Sequence, residues 1–216
     1  MLDLRSQYER SDMKPDRKES LTLELLAAID EKSDLTQRHL ADRMGIALGL
    51  TNSYLRRCVR KGLVKITQAP ANRFLYYLTP QGFAEKSRLT AEFLTSSLAF
   101  YRRASGSLDE AFVQCREKGA QRVLFGGISE LTEIGCIRAV DFAFEIVGAF
   151  DPASRLNRII GRPVWRNLDE VAASDVAVIT AFTAADQMYD ALCANFGASR
   201  VVVPDILDVF ASRISN

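Results

Sequence analysis

Histidine is nearly absent from this chain: His39 is the one example among 216 residues. Imidazole is the side chain most often used for proton transfer near neutral pH, and the second half has none. No P-loop, nucleophile elbow or metal-ligand spacing makes up for that lack. The four cysteines (Cys58, Cys115, Cys136, Cys193) are far apart, with no CxxC pair and no disulfide framework. A cysteine zinc site is thereby excluded, and a reducing cytoplasm is the expected setting. No apolar run approaches the ~20 residues of a membrane span. The opening stretch, MLDLRSQYERSDMKPDRKES, is charged throughout and is no signal peptide. These gaps speak against an enzyme and against a membrane protein.

What is present is charge, unevenly divided. Residues 1–104 hold 18 Lys or Arg against 12 Asp or Glu, net +6, and residues 105–216 hold 10 against 15, net −5. A basic front and an acidic back suggest that only one half meets nucleic acid. The length suits two domains of ~100 residues. The apolar content of 48% supplies ordinary cores.

The basic excess is concentrated between Thr36 and Arg73, with eight Lys or Arg and a single acid, Asp42. A merely solvated face would mix signs. Within this stretch Leu40, Ala41 and Met44 form one apolar stripe, with Thr36 as the expected N-cap and Gly45 as the expected left-handed stop. Leu48, Thr51, Leu55, Cys58 and Val59 then mark one face of a second helix. Its opposite face carries Asn52, Ser53, Arg56, Arg57 and Arg60. Asn and Arg can reach base edges in a major groove, and further arginines can neutralise phosphates. The pattern is that of a helix-turn-helix, expected to bind double-stranded DNA.

Residues 1–17 have few large apolar side chains and are expected to fray or lie on the surface. Leu21, Leu23, Leu25, Leu26 and Ile29 make an amphipathic first helix. After Gly62 two short strands flank a polar tip containing Pro70 and Asn72, which makes a wing. Arg73 there is a candidate phosphate or minor-groove contact. Pro80 opens a helix expected to end near Arg103, where Gly106 breaks it and Ser107 to Glu110 caps the next. Phe83, Leu89, Phe93, Leu94, Leu98 and Tyr101 fall on roughly one side of the Pro80 helix, too apolar for an isolated helix; core packing is the default reading and a homodimer interface the preferred one. The domain boundary is placed at Ala104 to Gly106, giving domains 1–104 and 105–216.

The run Ala47-Leu48-Gly49 to Lys61-Gly62-Leu63-Val64-Lys65, with Leu78-Thr79-Pro80-Gln81-Gly82 and Glu85-Lys86-Ser87-Arg88-Leu89-Thr90, resembles MarR-type regulators associated with exopolysaccharide operons. The resemblance covers about residues 20–104 and implies a winged helix that regulates transcription. Ala47 and Leu50 depart from the polar residues expected at the start of the recognition helix, so the site preference of such relatives does not carry over.

The second half alternates strand and helix. Arg122 to Phe125, Phe144 to Phe150, Val176 to Ala181 and Arg200 to Val203 read as strands. Helices are expected from Ser129 to Val140 and from Ala184 to Asn195, with a short one capped by Asn167. Near-continuous apolar strands imply a parallel sheet covered on both faces. The expected fold class is therefore an α+β winged helix followed by an α/β Rossmann-like doubly wound parallel sheet.

Gly126 and Gly127 allow a phosphate to approach the helix opening at Ser129, and Asp151 closes the second strand where an acid can meet a ribose. The full G-x-G-x-x-G pattern is not present, and Glu130 would repel a pyrophosphate. The glycines therefore also read as turn residues alone, and Asp151 as the start of an Asp-Pro turn. The segments GAQRVLFGGIS, FEIVGAFDPA, IIGRPVWRNLDEV and DVAVITAF resemble the N-terminal domain of sugar-nucleotide acetyltransferases. A winged helix followed by such a domain is also similar to the NADH-sensing repressor Rex. The first likeness implies a sugar-nucleotide effector acting on polysaccharide biosynthesis genes, the second an NAD(H)-responsive redox regulator. A sugar-nucleotide-modifying enzyme, which the lack of histidine opposes, and a DNA-tethering scaffold complete the alternatives.

Overall fold

The computed structural model describes residues 17–70 and 73–207. The segment before Arg17 and the side chain of Arg73 lie outside the described residues. The chain divides into two compact units, Met1–Phe100 and Tyr101–Asn216.

In the first unit, α1 (Arg17–Glu31) buries Leu21, Leu25, Leu26, Ala28 and Ile29. Helix α2 (Gln37–Arg43) begins at Thr36, whose hydroxyl accepts the His39 amide at 3.1 Å, and ends before Gly45 at φ +60°. Helix α3 (Leu48–Arg60) follows the turn. Strands β1 (Val64–Ala69) and β2 (Arg73–Leu78) pair antiparallel, with Val64 opposite Leu78 and Ala69 opposite Arg73. The Tyr76 amide donates to the Ser33 carbonyl at 2.9 Å, which ties the hairpin to the α1–α2 turn. Leu25, Leu26, Leu40 and Leu55 fill the shared core with Tyr76 and Leu89.

Helix α4 (Pro80–Glu117) is continuous for 38 residues, which corrects the expected break at Gly106. A helix-interior glycine costs only ~1 kcal/mol relative to alanine. Burial outweighs it: Ala104, Leu108, Ala111, Phe112 and Cys115 are all buried at helical spacing around that glycine. Burying one Leu or Phe contributes about 1.5–3 kcal/mol. Ser107, read as a cap, has another partner. Its hydroxyl accepts the Ile206 amide at 2.9 Å.

In the second unit a six-stranded sheet has the order β5-β6-β4-β3-β7-β8. The strands are β3 (Arg122–Gly126), β4 (Glu145–Phe150), β5 (Arg158–Ile159), β6 (Arg162–Trp165), β7 (Val176–Ile179) and β8 (Val201–Val202). Five run parallel, and β5 pairs antiparallel with β6, so the sheet is mixed rather than wholly parallel. Strand order reverses between the neighbours β3 and β7. Helix α5 (Glu130–Asp141) links β3 to β4, and α6 (Ala185–Phe196) links β7 to β8. The Phe125 ring lies against Gly135 of α5, whereas a Cβ on the next residue, Gly126, would meet Leu192 of α6. Successive strand residues face opposite sides, so the two helices cover opposite faces. Between β4 and β7 the expected alternation fails. The chain forms the β5–β6 hairpin and a 3-10 turn at Leu168–Glu170, capped by Asn167. The two-residue strand β5 was too short to leave a period in the sequence.

Aromatic packing closes the α5 face. Phe112 lies 6.4 Å from Phe125 and 5.4 Å from both Phe142 and Phe144, ring centre to ring centre. Asp175, just before β7, accepts the amides of Gln121 and Arg122 at 2.9 and 2.8 Å, and these bonds hold its carboxyl below the usual range.

Candidate nucleic-acid interface and the turn after β3

Helix α3 is positioned by a buried stripe of Thr51, Leu55 and Cys58. Leu48, assigned to that stripe from spacing, is instead 41% exposed. It is the first residue of the helix, ahead of the buried stripe that starts at Thr51. Burial pushes the Cys58 thiol above its ordinary value, and nearby Arg57 and Lys61 offset this only in part. Cys58 is therefore a packing residue.

The outward face carries Ser53, Arg56 and Arg60, all exposed, with Arg57 half-buried. The Arg56 Nε donates to the Asn52 carbonyl at 3.3 Å, which leaves the remaining guanidinium donors free to point outward. Asn52 departs from expectation. It is half-buried, and its Oδ1 is enclosed without a hydrogen-bond partner among the described residues. Its helical position falls at the border of the buried stripe rather than opposite it. No acid lies in α3 or on either wing strand. Ala47 occupies the N-cap without a side-chain bond, so the first amides of α3 are open to an acceptor from outside. Lys65, exposed on β1, extends the positive face onto the wing. Arg73 begins β2, and its side chain is outside the described residues.

In the sequence, position 50 is only a departure from a polar pattern. In the structure the Leu50 side chain is 43% exposed beside that outward face.

Gly126, Gly127, Ser129 and Asp151 are brought together where β3 and β4 end, but their polar groups are engaged by neighbouring residues of the chain. The Ile128 amide donates to Asp151 Oδ2 at 3.1 Å. Asp151 Oδ1 takes the Ala153 and Ser154 amides at 3.0 and 3.1 Å. The Ser129 amide donates to the Thr132 hydroxyl and the Leu131 amide to the Ser129 hydroxyl, both at 3.0 Å. Thr132 and Thr180, both fully buried, donate to the Gly127 carbonyl at 3.0 and 2.8 Å. Gly127 has φ +97°, and a Cβ there would lie 2.3 Å from that of Ala181. The glycine is thus required by the close approach of the loop after β7. Of the amides from Gly127 to Leu131, only that of Glu130 has no bond among the described residues. No cluster of His, Cys, Asp and Glu able to hold a metal occurs among the described residues. No helix among them is long and apolar enough to cross a membrane.

No curated protein matches this chain. Among solved structures, the transcriptional regulator PcaV from Streptomyces coelicolor, in complex with its natural ligand, is 23% identical with a TM-score of 0.38. That match covers 46% of this chain and 82% of PcaV. A MarR family protein of Mycobacterium tuberculosis, bound to p-aminosalicylic acid, is 19% identical at TM-score 0.34 over 37% of this chain. The chain spans 61% of that protein's length. A variant of MepR from Staphylococcus aureus bound to an oligodeoxyribonucleotide is 22% identical at TM-score 0.33, covering 44% of this chain and 68% of its own. The family of winged helix-turn-helix DNA-binding domains matches residues 19–65. The first unit therefore carries a winged helix-turn-helix of the DNA-binding kind.

Proposed function

We propose that this chain is a MarR-type transcriptional regulator that binds double-stranded DNA as a homodimer through α3 and the wing. The carrying observation is the acid-free outward face of α3, with Ser53, Arg56 and Arg60 exposed, in a segment that matches winged helix-turn-helix DNA-binding domains. The second unit is read as a Rossmann-like effector domain for a nucleotide or sugar nucleotide, with polysaccharide biosynthesis genes as targets. Ligands of parallel α/β sheets bind beyond the carboxyl ends of the strands, where strand order reverses. Gly127 and Ser129 follow β3 at that reversal, and Asp151 follows the adjacent β4. NAD(H) is the alternative effector. A second reading, in which the α/β unit only docks or dimerises, is favoured by the inward bonding of those same groups.

One titration tests these readings together. Labelled duplexes enriched from a random pool are titrated with protein, alone and with a UDP-sugar, NAD⁺ or NADH. The enriched duplex should bind about 10³-fold or more tightly than random DNA. An effector should shift that affinity about 5–150-fold. Equal affinity for all duplexes removes the regulatory reading, and no shift with any nucleotide leaves the docking reading in place.

The dimer reading rests on α4, where Phe93, Leu94 and Leu98 are 46%, 54% and 54% exposed. Regulators of this architecture read two half-sites as dimers. Leu94→Glu is expected to convert a dimer to a monomer in sedimentation while the helical circular dichroism of the parent is retained, since the position is exposed. A parent that already sediments as a monomer removes the claim.

A further inference from the structure

We propose that Leu50 reads the 5-methyl group of a thymine in each half-site. This deepens the DNA-binding reading above and rests on it. In α3, Gly49, Ser53, Arg56 and Arg60 recur at helical spacing on the side opposite Thr51, Leu55 and Cys58, and Leu50 lies beside them in the first turn. The N-terminal residues of a recognition helix are those that meet base edges.

Among the described residues, that first turn is only loosely covered. Leu50 is 43% exposed. A Cβ on Gly49 would find no atom within 4 Å. A glycine inside a helix is unfavourable, and no neighbour among the described residues requires one here. What the pair does offer is a close approach at Gly49 with an apolar side chain alongside it. In the major groove the thymine methyl is the one apolar feature a base pair presents. A DNA occupant also suits the charge: Arg56, Arg57, Arg60 and Lys61 follow on the same helix and its C-cap with no acid among them. The first turn then reads by shape and burial, and the arginines further along supply hydrogen bonds and phosphate contacts.

The test uses the full chain and duplexes enriched from a random pool. Each recurrent thymine is replaced by deoxyuridine, which removes only the methyl. Binding is measured by fluorescence anisotropy for the parent, Leu50→Ala and Leu50→Met. At one position per half-site, deoxyuridine should weaken the parent about fourfold, the effect of one buried methyl. Leu50→Ala should bind the thymine duplex as weakly as the parent binds the uracil one, and should no longer distinguish them. Leu50→Met should retain the discrimination. Equal deoxyuridine losses in the parent and Leu50→Ala overturn the assignment, because another group then senses the methyl. Indifference of the parent to every deoxyuridine overturns it as well. If no duplex is enriched, the DNA-reading assignment falls, and this inference with it.

Discussion

Alanine at both Arg56 and Arg57 should lower the affinity for an enriched duplex by about 2–6 kcal/mol, roughly 30-fold to 10⁴-fold. Both side chains project from α3 outside its buried stripe, so the loss should come without unfolding. The two should differ in kind. Arg56 is exposed, and its Nε is braced on the Asn52 carbonyl, which fixes where the rest of the guanidinium points. An oriented planar fork suits bidentate contact with a guanine edge. Arg56→Ala should therefore relax sequence preference at one base pair. Arg57 is half-buried along the flank of the helix, where a phosphate is the nearer target. Arg57→Ala should weaken all duplexes alike and reduce the salt slope by about one. Anisotropy titrations at several salt concentrations separate the two effects. A double variant with parental affinity would place DNA recognition outside α3.

The largest stability effect is expected from Gly82→Ala. Residue 82 lies in the first turn of α4, where its α-carbon presses on the start of the wing. A Cβ would lie 2.0 Å from the Leu63 carbonyl oxygen and 3.0 Å from its carbon. Those are backbone atoms and cannot rotate away, so the helix must lift. Lifting it disrupts a set of bonds made by one residue. The Thr79 amide donates to Leu63 at 3.0 Å, the Thr79 hydroxyl meets the Gly62 carbonyl at 2.5 Å, and the Gly82 amide donates back to that hydroxyl at 3.0 Å. Overpacking costs about 1–3 kcal/mol, and each lost hydrogen bond about 0.5–1.5 kcal/mol. A total near 3–5 kcal/mol should lower the melting temperature of the first unit by more than about 10 °C. Thermal unfolding followed by circular dichroism gives the answer. Gly49→Ala, whose methyl meets open space, serves as the control and should not melt earlier. Equal melting of Gly82→Ala and the parent would refute the close approach.

Most of the first unit could be read from residue spacing because its signals are local. The Thr36 cap, the Gly45 stop and the alternation on either side of Pro70 each act within a few residues, and each element formed as expected. The errors arose where distant partners decide. Gly106 stays helical because Phe112 finds Phe125, Phe142 and Phe144, a match no local window contains. Asp151 and Ser129 stand as the proposed ligand contacts, but residue type and position alone say nothing of the internal groups that hold them. The structure adds the Thr180 and Ile128 groups that engage them, and those come from separate strands and loops. Asn52 was placed on the outward face from periodicity alone. Helical spacing gives an angle, but it does not say how far the neighbouring elements wrap around the helix.

The β5–β6 hairpin bears on how the protein behaves when crowded. An exposed sheet edge invites another chain to add a strand and start an aggregate. Here the edge strand has only two residues, Arg158 and Ile159, and the turn that follows forces Ile160 to φ +44°. Arg158 on the edge donates to the Gly161 carbonyl across that turn, so charge and curvature occur together. A second molecule finds too short a ladder to extend and a guanidinium standing beside it. Many copies gathered along one stretch of DNA could therefore stay side by side without fusing their sheets at this edge.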